Sequence, residues 1–205
     1  MTPRACGLLL AAGAGRRMGR PKALVADAGG PWPHRALDAL AAGGCDGLLV
    51  VLGAQADDAR DVVASWPGRP APQVVVADDW ADGMGASLRA GLAHLAGTSY
   101  DVALVTLVDL PDVGADVVRR VLDAAGRGRA TLARATYGGV PGHPVVLGAD
   151  RWAAAADVAR GDRGARDLLA GDDVRLVECG DLATGADVDT ATDPGTRGAE
   201  GGGRG

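Results

Sequence analysis

The chain predicts a Rossmann-like three-layer α/β/α sandwich on a mostly parallel, mixed sheet. Three observations carry that expectation. Short runs rich in Val and Leu at residues 6–12, 47–52, 73–77 and 102–108 have the length of buried strands. Stretches with apolar residues at helical spacing separate them, at 34–42, 57–65, 87–96 and 115–125. Strands alternating with helices give right-handed crossovers and a parallel sheet covered on both faces. The rhythm then changes after Arg129. Residues 131–137 and 143–147 read as two strands about a Gly138-Gly139 turn, which makes the sheet mixed. Residues 163–170 read as a helix and 174–179 as a late strand.

The opening run could be mistaken for a secretory leader. Gly13, Gly15, Arg16 and Arg17 follow it at once, without a small-x-small cleavage site, so it reads as a buried first strand and the expected location is the cytoplasm. No apolar run reaches membrane-spanning length. A length of 205 residues with 47 % hydrophobic side chains argues for one compact domain, expected over 1–193. The Gly-rich end, 194–205, cannot bury a core and is expected to be disordered.

Cys6, Cys45 and Cys179 are odd in number and far apart, so they fit neither a zinc site nor a disulfide framework and read as small buried hydrophobes. The net charge of −5, with Arg residues scattered apart from Arg16, Arg17 and Arg20, argues against nucleic acid as a partner. The chain has no Phe, Ile or Asn, and Lys22 is its only lysine. Where Arg replaces Lys so thoroughly, a surviving lysine marks a position that needs a compact point charge rather than a planar fork.

The strongest motif is Leu10-Ala11-Ala12-Gly13-Ala14-Gly15-Arg16-Arg17-Met18-Gly19-Arg20-Pro21-Lys22. It follows a strand and so lies at the sheet's carboxyl edge, where ligands of such sheets bind. Gly13 and Gly15 admit close approach and positive φ, and their N–H groups can cradle phosphate oxygens while Arg16 and Lys22 add charge. The dinucleotide fingerprint fails, because Met18 stands where the third Gly belongs and Pro21 interrupts the helix. A Walker A loop fails for want of Gly-Lys-Ser/Thr. A second element, Val105-Thr106-Leu107-Val108-Asp109-Leu110-Pro111, carries one carboxylate past the end of a hydrophobic strand, a position suited to a Mg²⁺ ligand. As plain structure, Asp109 would be a turn residue before Pro.

The segment 10–22 closely resembles the signature L-A-A-G-x-G-x-R-M-G-x-x-K of MobA-like NTP transferases, in the branch of molybdenum cofactor cytidylyltransferase and molybdopterin-guanine dinucleotide synthase. The resemblance runs from Gly7 to about Asp193. It implies a Mg²⁺-dependent nucleotidyltransferase that uses CTP or GTP. It implies a phosphorylated acceptor, the molybdenum pterin cofactor first, and a molybdoenzyme or its chaperone as protein partner.

The family's residues carry over position by position. Leu10, Ala11, Ala12, Gly13, Ala14, Gly15 and Lys22 would bind nucleotide, with Lys22, Arg16 and Asp109 catalytic. The stretch from Asp78 to Leu88 resembles the nucleobase-side loop, which puts Asp79, Gly85 and Ser87 on the nucleotide. Ser87 taken alone fits better as the N-cap of the next helix. Gly142-His143-Pro144 resembles the acceptor-side segment, and Gly161-Asp162-Arg163-Gly164-Ala165-Arg166 also matches this branch, either as a phosphate-facing turn opening a helix or as a plain capped turn; on the first reading His143 and Arg163 would be acceptor residues. Asp187-Val188-Asp189-Thr190 resembles the element that completes the metal site, so Asp109 and Asp189 would hold Mg²⁺. After it, Ala191-Thr192-Asp193-Pro194 departs from the family's usual helix start, leaving the last helix in doubt. The same chemistry on a sugar phosphate, a phospholactate-type acid or methylerythritol phosphate is an alternative, as is a non-catalytic molybdopterin-binding chaperone.

Overall fold

The computed structural model describes residues 2–161 and 164–188. Its strands in chain order are β1 (Ala5–Leu10), β2 (Ala26–Asp27), β3 (Gly30–Pro31), β4 (Gly47–Leu52), β5 (Gln73–Val76), β6 (Val102–Leu107), β7 (Leu132–Tyr137), β8 (Val140–Gly148) and β9 (Arg175–Glu178). The helices are α1 (Trp32–Ala42), α2 (Ala56–Ala64), α3 (Met84–Ala96), α4 (Ala115–Ala125) and α5 (Trp152–Val158). Seven strands form one sheet in the order β5-β4-β1-β6-β8-β7-β9, and β2 and β3 form a separate two-stranded ribbon. In the large sheet β8 is antiparallel to both its neighbours, while the other pairings are parallel. The mixed sheet expected after Arg129 is therefore present.

Burial on both sides explains the apolar runs. Every residue of β1 is buried. Ala5 and Leu9 join the core beneath α1, α2 and α4, whereas Cys6, Leu8 and Leu10 join the core beneath α3 and α5. Strand alternation thus feeds two layers from one run. Gly7 has no side chain because Leu40 of α1 lies where a Cβ would stand, 3.0 Å away. The cysteines are free and buried, as their spacing predicts. Among the described residues no helix is long and apolar enough to cross a membrane.

The structure differs from expectation in four places. α3 starts at Met84, not Ser87, and its N-cap is Gly83 at φ +105°; Ser87 therefore sits inside the first turn rather than capping it. Residues 164–170 form turns and a short 3₁₀ helix, Leu168–Ala170, instead of an α-helix. Gly164 at φ +53° breaks the helical backbone there. α5 was not anticipated, although its four consecutive alanines are the strongest helix formers. Trp152 anchors it by donating from its indole N–H to the carbonyl of Leu147 at 2.9 Å. The β2–β3 ribbon is too short to leave a periodic signal. The tail 194–205 and the domain end at 193 lie outside the described residues.

The β7–β8 turn uses Gly138 and Gly139 at φ +59° and +80°, the conformation a tight hairpin requires. Glu178 of β9 staples it. Its carboxylate accepts the Thr136 hydroxyl and the amides of Gly139, Gly138 and Gly180, at 2.8 to 3.0 Å. Those donors, Thr136 foremost, hold the carboxyl down to about 2 from its ordinary 4.5. A depressed carboxylate contributes stability that is present above its unfolded pKa and lost as pH falls through the folded one. Glu178→Gln should therefore lower the Tm at neutral pH. The gap from the parent chain should close between pH 4.5 and 2. Thermal melts of both proteins across that range check this; a gap independent of pH contradicts it.

Candidate active site

The sheet order positions the site. From β1 the chain crosses through α1 to β4 on one side, whereas β6 lies on the other side of β1. Connections that diverge in this way leave a crevice at the carboxyl ends of the two strands. Leu10 is paired with Leu107 in register, and the amide of Val108 donates to the carbonyl of Leu10 at 3.2 Å. The Gly-rich loop and the Asp109 loop therefore leave the sheet at the same level, side by side.

The loop is folded tightly. Met18 N–H donates to Gly15 O at 2.8 Å, and Lys22 N–H reaches Gly13 O at 3.4 Å. Gly15 has φ +56°, and a Cβ there would stand 2.0 Å from the carbonyl oxygen of Arg20. Gly13 is different: a Cβ would meet nothing. Among the described residues, the amides of Gly13, Ala14, Gly15 and Arg16 donate to no protein acceptor. Backbone N–H groups left open together form an anion-binding concavity. Pro21 then caps a 3₁₀ turn, Lys22–Leu24, which delivers Lys22. Its ammonium forms an ion pair with the carboxylate of Asp109, which is only 7 % exposed.

Around this pair lies an open cleft of about 370 Å³. Leu10 to Arg16 and Lys22 line one side, Leu107, Val108 and Asp109 the floor, and Trp80, Ala81, Gly83, Met84 and Ser87 the far wall. The structure thus gathers Leu10, Ala11, Ala12, Gly13, Ala14, Gly15, Arg16, Lys22, Ser87 and Asp109 into one cavity. Two residues read from the sequence as nucleotide contacts have other partners. Asp79 pairs with Arg89 at 2.7 Å and does not line the cleft. Gly85 packs against the backbone of Ala159 and Arg160, where a Cβ would stand 2.7 Å from the Arg160 nitrogen, so its smallness serves the seating of α3.

His143 lies in an adjoining cavity that shares Leu10 and Met84 with the cleft. Burial and the neighbouring Arg134 push its imidazole down to about 4, leaving it neutral at pH 7. Arg163 and Asp189 lie outside the described residues. The chain just before Asp189 is placed: the amide of Val188 donates to the carbonyl of Asp109 at 3.0 Å, and Asp112 holds Thr184 by its amide and hydroxyl, both at 2.6 Å.

Sequence reasoning missed Trp80, Met84 and Arg134. Trp80 carried a signal, an aromatic side chain in a Gly-rich loop of a chain with 3 % aromatics. Gly53 makes room for it, since a Cβ there would lie 2.5 Å from the Trp80 side chain. Arg134 also carried one, being a lone charge in the largely buried strand β7.

No group of three or more acidic, His or Cys side chains suited to a metal ion exists among the described residues. Mg²⁺ does not require one. It keeps several waters and is commonly bound through one or two carboxylates plus substrate phosphates. Asp109, beside the open amides of residues 13–16, fits that donor set.

A model of the MobA-like NTP transferase domain matches residues 7–178. The chain is 38 % identical over 198 residues to nicotine blue oxidoreductase of Paenarthrobacter nicotinovorans, covering 92 % of this chain and 93 % of that protein. It is 33 % identical over 199 residues to molybdenum cofactor guanylyltransferase of Rhodobacter capsulatus, covering 93 % and 88 %. Among solved structures, Rv0371c of Mycobacterium tuberculosis superposes with a TM-score of 0.75 at 26 % identity, covering 93 % and 95 %. The same mycobacterial protein in complex with manganese gives 0.68 at 25 % identity, covering 86 % and 88 %.

The two loop glycines should separate fold from ligand binding. Gly15→Ala forces a side chain into positive φ against a carbonyl and should cost about 1–3 kcal/mol. Gly13→Ala points into open space and should stay within about 0.5 kcal/mol of the parent in urea unfolding. Equal losses at both positions would contradict the loop geometry.

Proposed function

The chain belongs to the MobA-like NTP transferase family, and from that premise we propose that it moves CMP or GMP from its triphosphate onto a phosphorylated acceptor, the molybdenum pterin cofactor first, releasing pyrophosphate. The observation that carries this reading is the Lys22–Asp109 pair beside four open amides in one cleft. A charge pair withdrawn from water is a poor stability device, because desolvation offsets most of the attraction. An arriving polyanion gives both members a role. The ammonium neutralises phosphate, and the carboxylate is freed to accept a cation.

The reaction asks mainly for positioning and charge stabilisation. An oxygen of the acceptor's phosphate bonds to the α-phosphorus. The bond from that phosphorus to the bridging oxygen breaks, and its electron pair leaves with pyrophosphate. The acceptor is already ionised, so no general base is required. The amides of residues 13–16 hold the β- and γ-phosphates, with the exposed Arg16 over them. Lys22 lies against the α-phosphate and stabilises the charge that builds there. The indole of Trp80 and the hydroxyl of Ser87 face the base from the far wall. When bound by Asp109 and Asp189, Mg²⁺ supplies charge neutralisation between the two anions. The manganese complex of the mycobacterial neighbour supports a divalent cation on this fold.

One comparison favours a second reading. The 38 % identical relative is named for an oxidoreductase, and a phosphate cradle beside an apolar cavity also suits the pyrophosphate of a nicotinamide dinucleotide. The two readings part on the product. Pyrophosphate release should be measured with each of the four NTPs against molybdopterin, a sugar phosphate, phospholactate and methylerythritol phosphate, with Mg²⁺ or Mn²⁺. Oxidation of reduced nicotinamide dinucleotide should be followed in parallel with an aromatic electron acceptor. The transferase reading expects pyrophosphate only in the presence of an acceptor. Nicotinamide oxidation without any pyrophosphate would replace it, and inactivity in both assays with retained molybdopterin binding would indicate a carrier.

Lys22→Ala and Asp109→Ala should each lose roughly 10²–10³-fold in pyrophosphate release, the usual cost of one electrostatic contact at a transition state. Both variants should keep the far-UV spectrum of the parent. Undiminished turnover in either folded variant would defeat the assignment.

A further inference from the structure

Beside the nucleotide cleft, and sharing Leu10 and Met84 with it, is a smaller cavity of about 90 Å³. Its walls are mostly aliphatic, yet Arg134, Arg166 and His143 open into it. Arg134 comes from β7, Arg166 from the turns that follow α5, and His143 from β8. Among the described residues no carboxylate lines this cavity, and neither arginine forms an ion pair. Several other half-buried arginines are treated differently. Arg35 sits on Asp27 and Arg127 on Asp46.

Arg134 is held in place but under-satisfied. One guanidinium nitrogen reaches the carbonyl of Gly142 at 3.5 Å, the limit of a hydrogen bond, and its buried Nε has no partner among the described residues. A buried N–H without an acceptor costs roughly as much as a lost hydrogen bond, and more on a charged group. Burial lowers its pKa, and Arg166, close enough to repel it, lowers it further. Two like charges at the mouth of an apolar cavity, with no acid among the described residues to balance them, are an arrangement that an incoming anion relieves. Arginine's planar fork matches a carboxylate or phosphate bidentately. Neutral His143 can add a hydrogen bond without adding charge.

We propose that Arg134 and Arg166 form an oxyanion site for the second substrate, which presents an acidic group on a small apolar body. Assigning the anion to the acceptor rests on the transferase reading; the anion site itself rests only on this cavity. The aliphatic walls reject a bare hydrated ion and favour a compact hydrocarbon or ring that carries the charge. The shared boundary at Leu10 and Met84 sets such a molecule next to the triphosphate cleft.

The test uses the full chain with phenyl phosphate, benzoate and, as the uncharged control, benzyl alcohol, titrated calorimetrically. A triphosphate analogue that cannot be hydrolysed is titrated separately. At least one of the two anions should bind and benzyl alcohol should not; the preferred anion tells phosphate from carboxylate. Arg134→Met should weaken anion binding roughly ten- to hundred-fold, the worth of a charged hydrogen bond, and Arg134→Lys should restore part of it. Arg166→Ala, at an exposed position, provides a second variant independent of core packing and should weaken binding in the same direction. Triphosphate affinity should stay within about two-fold of the parent in all three, since these residues lie outside the larger cleft. Absence of binding by both anions, equal binding of the alcohol, or anion affinity indifferent to Arg134→Met and Arg166→Ala would overturn the proposal. Anion binding without any triphosphate binding would uphold the anion site and defeat the transferase reading instead.

Discussion

The contact between Lys22 and Asp109 depends on one register. β1 and β6 are neighbours in the sheet, with Leu10 opposite Leu107, and two loops far apart in sequence emerge at the same height. Any slip of one residue would turn each side chain to the opposite face and separate the two charges. The register is held by burial on both sides of β1, where alternate residues feed two different cores. Packing of the core and placement of the charge pair are therefore one constraint. The cost of holding a lysine and an aspartate out of water is met by the apolar sheet beneath them.

Around that pair the molecule divides its positive charge between two places. The larger cleft offers open amides, Arg16 and Lys22, which suit an extended polyanion. The smaller cavity offers two arginines inside an aliphatic lining, which suits a single acidic group on an apolar body. Leu10 and Met84 form the ridge between them. Two anions brought together across such a ridge would repel each other, and the positive charge on both sides would offset that repulsion. Relatives named for a guanylyltransferase and for an oxidoreductase align over nearly the whole chain, so the frame is shared.

The sequence was most legible where local chemistry is self-sufficient. Buried parallel strands read as unbroken apolar runs, and a Gly-Gly pair between two strands announces its own turn. The Gly-rich loop was readable because positive φ, as at Gly15, leaves a glycine. It was less legible where one residue type serves two purposes. Gly85 looked like room for a ligand but makes room for the backbone at residues 159–160. Ser87 looked like a cap, yet Gly83 takes that place and turns the serine toward the cleft. Asp79 looked available for a nucleotide and is bound by Arg89, ten residues further along in α3.

The order of apolar runs, the glycine loop and the solitary lysine determined by themselves the layered α/β architecture and pointed to the carboxyl edge of the sheet as the candidate site. These follow from periodicity and backbone freedom, which are local properties. Tertiary structure alone decided which charges meet and which stay unpaired. Lys22 and Asp109 are brought together by strand order, and Asp79 is taken by Arg89 through the packing of α3. Among the described residues Arg134 is left without a carboxylate, because β7, β8 and the turn at residues 164–166 converge on an apolar space. Pairing of charges depends on distances between segments remote in sequence, and no local pattern encodes those distances.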